Sequence, residues 1–275
     1  MRTILFLSVL FFSCQSDGRQ PKVAVKPGAV VKPIAQRVPD VRVIHVYVAL
    51  CDNQYQGIVP VPAKIGNGQD PASNLYWGCG YGVKTFFTNS KEWELQKGIK
   101  SNVAKPILER CVFKHRFSNT WLVADAYDGQ FIKTCTEKFL SACSGNISVS
   151  VILKDGRKIF AAGSSDLLAY IGHDGLMDFK ITSSFNAADS LKREAIILAC
   201  ISKSYFAPVL KQTAAKPILW STGLMAPEAY VLHDALSAWV KNEPVENLRT
   251  NAAAAYSKYQ KCSVKAAKNL LVSGW

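Results

Sequence analysis

The sequence predicts an α/β domain of three layers, with helices on both sides of a mostly parallel central sheet. Three observations point there. Short apolar runs recur at Val41–Leu50, Trp121–Tyr127, Leu167–Ile171, Ala195–Ala199 and Pro217–Ser221, the first of them a nearly continuous β-branched run. Unbroken apolar runs of that length suit strands covered on both faces, the condition of a parallel sheet between helices. Helix-like stretches alternate with these runs, which is the pattern of parallel crossover units. No repeat or second linker interrupts the succession, so residues 41–275 read as one domain.

Taken in order, Val41–Leu50 (VRVIHVYVAL) is the opening strand. A loop rich in Gly, Asn and Pro covers Cys51–Asp70, after which Asp70 and Pro71 read as cap and first residue of a helix over 71–87. The glycines of that helix cost propensity and predict close packing. Residues 102–116 are strand-like in their second half, and Trp121–Tyr127 is a second strand ended by Asp128-Gly129. Gln130–Ala142 follows as a helix. Ser148–Leu153 and Lys158–Ala162 flank Lys154-Asp155-Gly156-Arg157, a hairpin turn signal. Leu167–Ile171 is the next strand, and Asn186–Glu194 can supply a crossover helix to Ala195–Ala199. A helix over Ser202–Thr213 must hold Pro208 in its first turn or be kinked by it. Pro217–Ser221 is the last buried strand, followed by an amphipathic helix over Ala226–Lys241 and more helix over Asn247–Val272.

The N-terminus reads differently. Arg2 precedes an apolar run, Ile4–Phe12, broken only by Ser8; this suits a signal-peptide core and is too short to span a bilayer. Ser13-Cys14 closes it and resembles a bacterial lipobox, departing from that pattern at Phe11 and Phe12. The expectation is a signal peptide over 1–13, a lipid on Cys14, and a Pro/Lys-rich tether through Asp40, with Pro21, Pro27, Pro33 and Pro39 favouring extended chain. That arrangement places the protein in the cell envelope, on the periplasmic or surface side of a bacterial membrane. An ordinary secretory peptide with an incidental cysteine is the competing reading.

The formal net charge of +13 is spread over scattered lysines, with no dense basic patch interleaved with aromatics. It reads as solubility and weak attraction to anionic surfaces, without a nucleic-acid partner. None of the eight cysteines form a C-x-x-C pair, so neither a zinc site nor a thioredoxin-like motif is indicated, and no metal or other cofactor is expected. Disulfides and buried thiols both remain open for them.

Reactive groups in parallel sheets collect at the carboxyl ends of strands. Two lie there: His173, in Gly172-His173-Asp174-Gly175, and Cys200, in Leu198-Ala199-Cys200-Ile201-Ser202. A thiolate attacks carbonyls, and a histidine beside it can take its proton and return it to the leaving amine. The backbone N–H groups of Asp174 or Gly175 and of Cys200 are the candidate oxyanion donors.

Tyr170-Ile171-Gly172-His173-Asp174-Gly175 and Ile197-Leu198-Ala199-Cys200-Ile201-Ser202, in that order, resemble the two active-site segments of the caspase-haemoglobinase (clan CD) cysteine peptidases. In that family one buried strand ends in His-Gly and a later one in Ala-Cys or Ser-Cys. The resemblance implies caspase-like topology, a Cys200–His173 dyad and a protein or peptide substrate, with the chain acting as a monomer. The sequence departs from the pattern where Asp174 separates His173 from Gly175, and in the short interval of 27 residues from His173 to Cys200. No arginine- or acid-binding specificity pocket is evident. The competing reading is a non-catalytic α/β lipoprotein that binds a protein or an envelope polymer.

Other candidates read as structural. His45 alternates within the first strand and reads as packed, His115 beside Lys114 and Arg116 reads as exposed, and His233 has no partner at helical spacing. Asp125 and Asp128, at the end of the second strand, serve equally as site supports or turn formers. Gly66–Asp70 lacks the lysine and spacing of a phosphate loop and reads as a structural or rim loop. Tyr76, Trp77, Tyr81, Phe86 and Phe87 read as core.

Overall fold

A computed structural model describes residues 35–97 and 103–275. The expected signal peptide, Cys14 and most of the tether lie outside the described residues. The end of the tether is described and packs on the domain. Gln36 N–H donates to Ser164 Oγ, and the Arg37 guanidinium binds the carbonyls of Ser164, Ser165 and Lys192 as well as Asp166. The chain is therefore anchored on the domain a few residues before Asp40.

The architecture is α/β around one eight-stranded sheet. In chain order its elements are β1 (Arg42–Ala49), α1 (Val83–Thr88), β2 (Trp93–Leu95), β3 (Ile107–His115), β4 (Thr120–Tyr127), α2 (Ile132–Cys143), β5 (Ser148–Ile152), β6 (Lys158–Ala162), β7 (Leu167–Ile171), β8 (Glu194–Leu198), α3 (Ser202–Thr213), β9 (Lys216–Ser221), α4 (Ala229–Trp239), α5 (Val245–Gln260), α6 (Val264–Leu270) and β10 (Leu271–Val272). The sheet runs β10-β9-β8-β7-β1-β4-β3-β2. β4, β1, β7, β8 and β9 pair in parallel, and antiparallel strands flank them at both edges. Numbered among themselves in chain order, the five parallel strands lie 2-1-3-4-5, a doubly wound order.

β1 shows why the sheet is central. Ile44, Val46 and Val48 point into a core shared with α1, α4 and α5, whereas Tyr47 and Ala49 point into one shared with α2 and α3. A third cluster joins Val43, Trp121 and Val123 to the β5–β6 hairpin, a small separate sheet. No helix among the described residues is long and apolar enough to cross a membrane.

Of two expected helices, the one over 71–87 forms only at its end, as α1, and the one over 186–194 is absent. Residues 71–82 form successive turns, because the Asn74 side chain replaces helical bonding: its Oδ1 accepts Cys51 N–H, and its Nδ2 donates to the Cys51 and Asn67 carbonyls. The crossover over 186–193 contains no helix. It is held extended by buried Arg193, which binds Asp189 and the Gly163 carbonyl, and by Ala188 N–H on the Ser144 carbonyl. Pro208 sits in the middle of α3 rather than its first turn. The chain also ends in a strand, β10, where helix was expected through Val272.

Candidate functional site at the carboxyl edge of the parallel strands

The strand order reverses between β1 and β7, and in doubly wound sheets ligands bind in the crevice outside the carboxyl ends at that point. The register brings the two candidate residues to the same edge of the sheet, with no direct hydrogen bond between them: His173 bonds Asp178 and the Cys200 thiol meets Met225. Ile171 of β7 pairs with Leu198 of β8, and His173 and Cys200 each lie two residues beyond. Neighbouring strands are about 4.8 Å apart. Both side chains line one cleft of about 270 Å³, closed by the loops after β1 and β9. Gly172 makes the bend: its φ is +144°, and a Cβ there would lie 2.6 Å from the Ala49 carbonyl oxygen.

His173 is oriented from behind. Its Nε2 lies 2.7 Å from Asp178 Oδ2, and the same carboxylate oxygen accepts Gly57 N–H at 3.0 Å. The His173 carbonyl takes the hydroxyl hydrogen of buried Tyr170. In the neutral ring, donation from Nε2–H to this carboxylate leaves Nδ1 as the basic nitrogen. That is the state a general base requires. Asp178 was not singled out by the sequence; an acidic residue five positions after the histidine, across a glycine turn, was the available signal.

Cys200 is a partly exposed free thiol, and all seven described cysteines are free. Met225 brackets it, with its N–H 3.4 Å and its carbonyl oxygen 3.5 Å from Sγ. The next residue, Ile201, has φ +48°, a left-handed conformation costly for a β-branched side chain, and its N–H is fixed on the Gly223 carbonyl. Ser202 and Ser221 lock this turn from below, Ser202 Oγ donating to the Ile197 carbonyl and Ser221 Oγ to that of Ala199. α3 begins at Ser202, and its N-terminal end favours negative charge nearby.

Asp174 does not face the cleft as a free acid. Its Oδ1 accepts Leu176 N–H and so caps the short turn Gly175–Met177. Its Oδ2 is buried with no partner among the described residues. Burial pushes this carboxyl up to about 7, against the Leu176 hydrogen bond and with help from the Asp178 charge. Among the described residues, the N–H groups of Asp174, Gly175 and Cys200 donate to no protein acceptor; Cys200 lines the cleft, whereas Asp174 and Gly175 are buried beside it.

The remaining candidates separate from this site. His45 is buried with Asp125 and Arg110: Nδ1 accepts Ala162 N–H, so Nε2–H points to Asp125 at 3.0 Å. Asp125 is therefore a mid-strand ion-pair residue, and only Asp128 forms a turn, capping residues 129–131. His115 is buried rather than exposed, because β2 lays Trp93 against it. Gln69 Nε2 ties Asp52 to Asp128, giving the 66–70 loop a structural role at the rim. Trp77 and Phe87 are core, Tyr76 reaches the Cys200 cleft, and Tyr81 and Phe86 line a second pocket of about 470 Å³.

That second pocket contains a Ser90–His233–Asp234 chain of contacts, both links 2.8 Å. Ser90 Oγ already accepts Glu92 N–H, and Asp234 is 43% exposed, so water screens it. This chain ties α4 to the turn after α1. No group of three or more metal-ligating side chains occurs among the described residues. No family model matches the chain, and no curated protein or solved structure matches it either.

Proposed function

We propose that the domain is a caspase-like cysteine peptidase or related amide hydrolase, carried by an exported lipoprotein anchored through Cys14. One observation carries the enzymatic reading. His173 and Cys200, which are 27 residues apart in the chain, emerge at equivalent positions beyond paired neighbouring strands and line one cleft, with Asp178 behind the histidine. The reading is also supported by chain order: His173 follows the third of the five parallel strands and Cys200 the fourth.

In this reading His173 Nδ1 takes the thiol proton as Sγ attacks the scissile carbonyl carbon. The tetrahedral oxyanion is met by the N–H groups of Cys200 and of Asp174 or Gly175. Collapse breaks the C–N bond, the amine leaves with the proton from His173, and a thioester remains on Cys200. Water, deprotonated by His173, then hydrolyses the thioester and restores the thiol.

One observation favours the non-catalytic alternative, a protein- or polymer-binding lipoprotein: the Met225 N–H and carbonyl already engage Sγ. An iodoacetamide-type probe decides between them. Catalysis requires labelling concentrated on Cys200, lost in Cys200→Ala and weakened in His173→Ala. Labelling spread evenly over several cysteines, or indifferent to His173, sinks the enzyme.

A further inference from the structure

The walls of the Cys200 cleft carry no charge available to a substrate. Ile58 and Val59 come from the loop after β1, Tyr76 from the turns that follow, Met177 from the turn after His173, and Leu224 and Met225 from the loop after β9. Three of these are unusually open for apolar side chains: Val59 is 89% exposed, Leu224 73% and Met177 39%. One exposed apolar residue needs no explanation, but three around one concave site mark a binding surface. The nearby acids are occupied. Asp178 holds His173 and Gly57, Asp174 caps its own turn, and Glu228 accepts the Tyr230 hydroxyl hydrogen. No lysine or arginine lines the cleft.

Resting on the peptidase reading, we infer that the cleft binds peptides through an uncharged, apolar side chain next to the scissile carbonyl. An aspartate or arginine placed there loses its water and finds no counter-charge, which is costly. A leucine there covers Leu224, Val59 and Met177 and removes apolar surface from water on both partners. Burial of one aliphatic side chain corresponds to a preference of roughly 10- to 100-fold.

The test uses the full chain and peptidyl acyloxymethyl ketones identical except for leucine, aspartate or arginine beside the ketone; the thiolate displaces the carboxylate of the probe. Mass spectrometry locates the adduct, with Cys200→Ala as control. The leucine probe is expected to modify Cys200 about 10- to 100-fold faster than the other two. Leu224→Ala, at an exposed position where folding is little affected, should narrow that ratio. If iodoacetamide labels Cys200 in a His173-dependent way while the aspartate or arginine probe reacts as fast as the leucine probe, the apolar site is wrong and the peptidase reading stands. If Cys200 reacts with neither iodoacetamide nor any ketone, both fall.

Discussion

Replacing Asp174 by Asn should stabilise the protein, and the gain should grow with pH. The carboxyl is fully buried, its Oδ2 has no partner among the described residues, and burial raises it from 3.8 to about 7. Between those values the unfolded chain has released the proton that the folded chain still holds, so folding stability falls as pH rises. Above about pH 7 both states are ionised and the whole penalty is present. At 1.36 kcal/mol per pH unit, the interval from 3.8 to about 7 corresponds to roughly 4 kcal/mol. Asparagine keeps the Oδ1 that accepts Leu176 N–H and so retains the cap. Urea unfolding of wild type and Asp174→Asn at pH 4, 6 and 8 isolates the effect, because groups common to both proteins cancel in the difference. The variant should gain up to about 4 kcal/mol between pH 4 and pH 8, against a total stability of about 5–15 kcal/mol for typical domains. A difference that is flat over that range, or that shrinks as pH rises, would refute a buried, charge-averse Asp174.

Two further changes probe the rest of the frame. Asp125→Ala leaves Arg110 and His45 buried without their counter-charge and should cost about 3–5 kcal/mol in denaturant unfolding, with the midpoint shifting at unchanged slope; a loss under 1 kcal/mol would mean that water reaches the group. Asp178→Asn removes the anion behind His173 without touching Cys200 and should slow Cys200 alkylation about tenfold or more, moving its pH profile while thermal unfolding stays nearly unchanged. An unaltered profile would mean that Asp178 does not position the histidine.

The strands were legible because their signal is local. β1, β4, β7, β8 and β9 are apolar runs, and burial on both faces leaves that pattern in any sequence. The helix expected over 71–87 forms only at its end, as α1, because the Asn74 side chain ties the segment to the backbone of Cys51 and Asn67, contacts that local propensity does not see. The crossover at 186–193 failed for a similar reason: Arg193 donates to the Gly163 carbonyl and Ala188 N–H to that of Ser144, long-range bonds that local propensity does not see. The exposed reading of His115 rested on its charged neighbours, whereas its burial depends on Trp93 in a three-residue strand too short to announce itself. In the site, His173 and Cys200 were visible from their glycine and strand context. Asp178 and Met225 were not, since one acts through a turn and the other through its backbone.

The cysteine chemistry binds these strands of argument together. Seven thiols are free among the described residues, and each is a potential target of a thiol probe. Burial removes most of them: it pushes Cys51 and Cys111 up to about 12 and raises Cys79, Cys135 and Cys143 as well. Thiols held protonated in the interior are poor nucleophiles at neutral pH. Cys79 and Cys262 are partly exposed like Cys200, but neither lines the cleft that holds His173. Alkylation in a Cys79→Ser/Cys262→Ser variant, with the adduct located by mass spectrometry, therefore measures Cys200 against a quiet background. A rate that then depends on His173 can come only from the cleft at the ends of β7 and β8, where the register, the bend at Gly172 and the turn at Ile201 all converge.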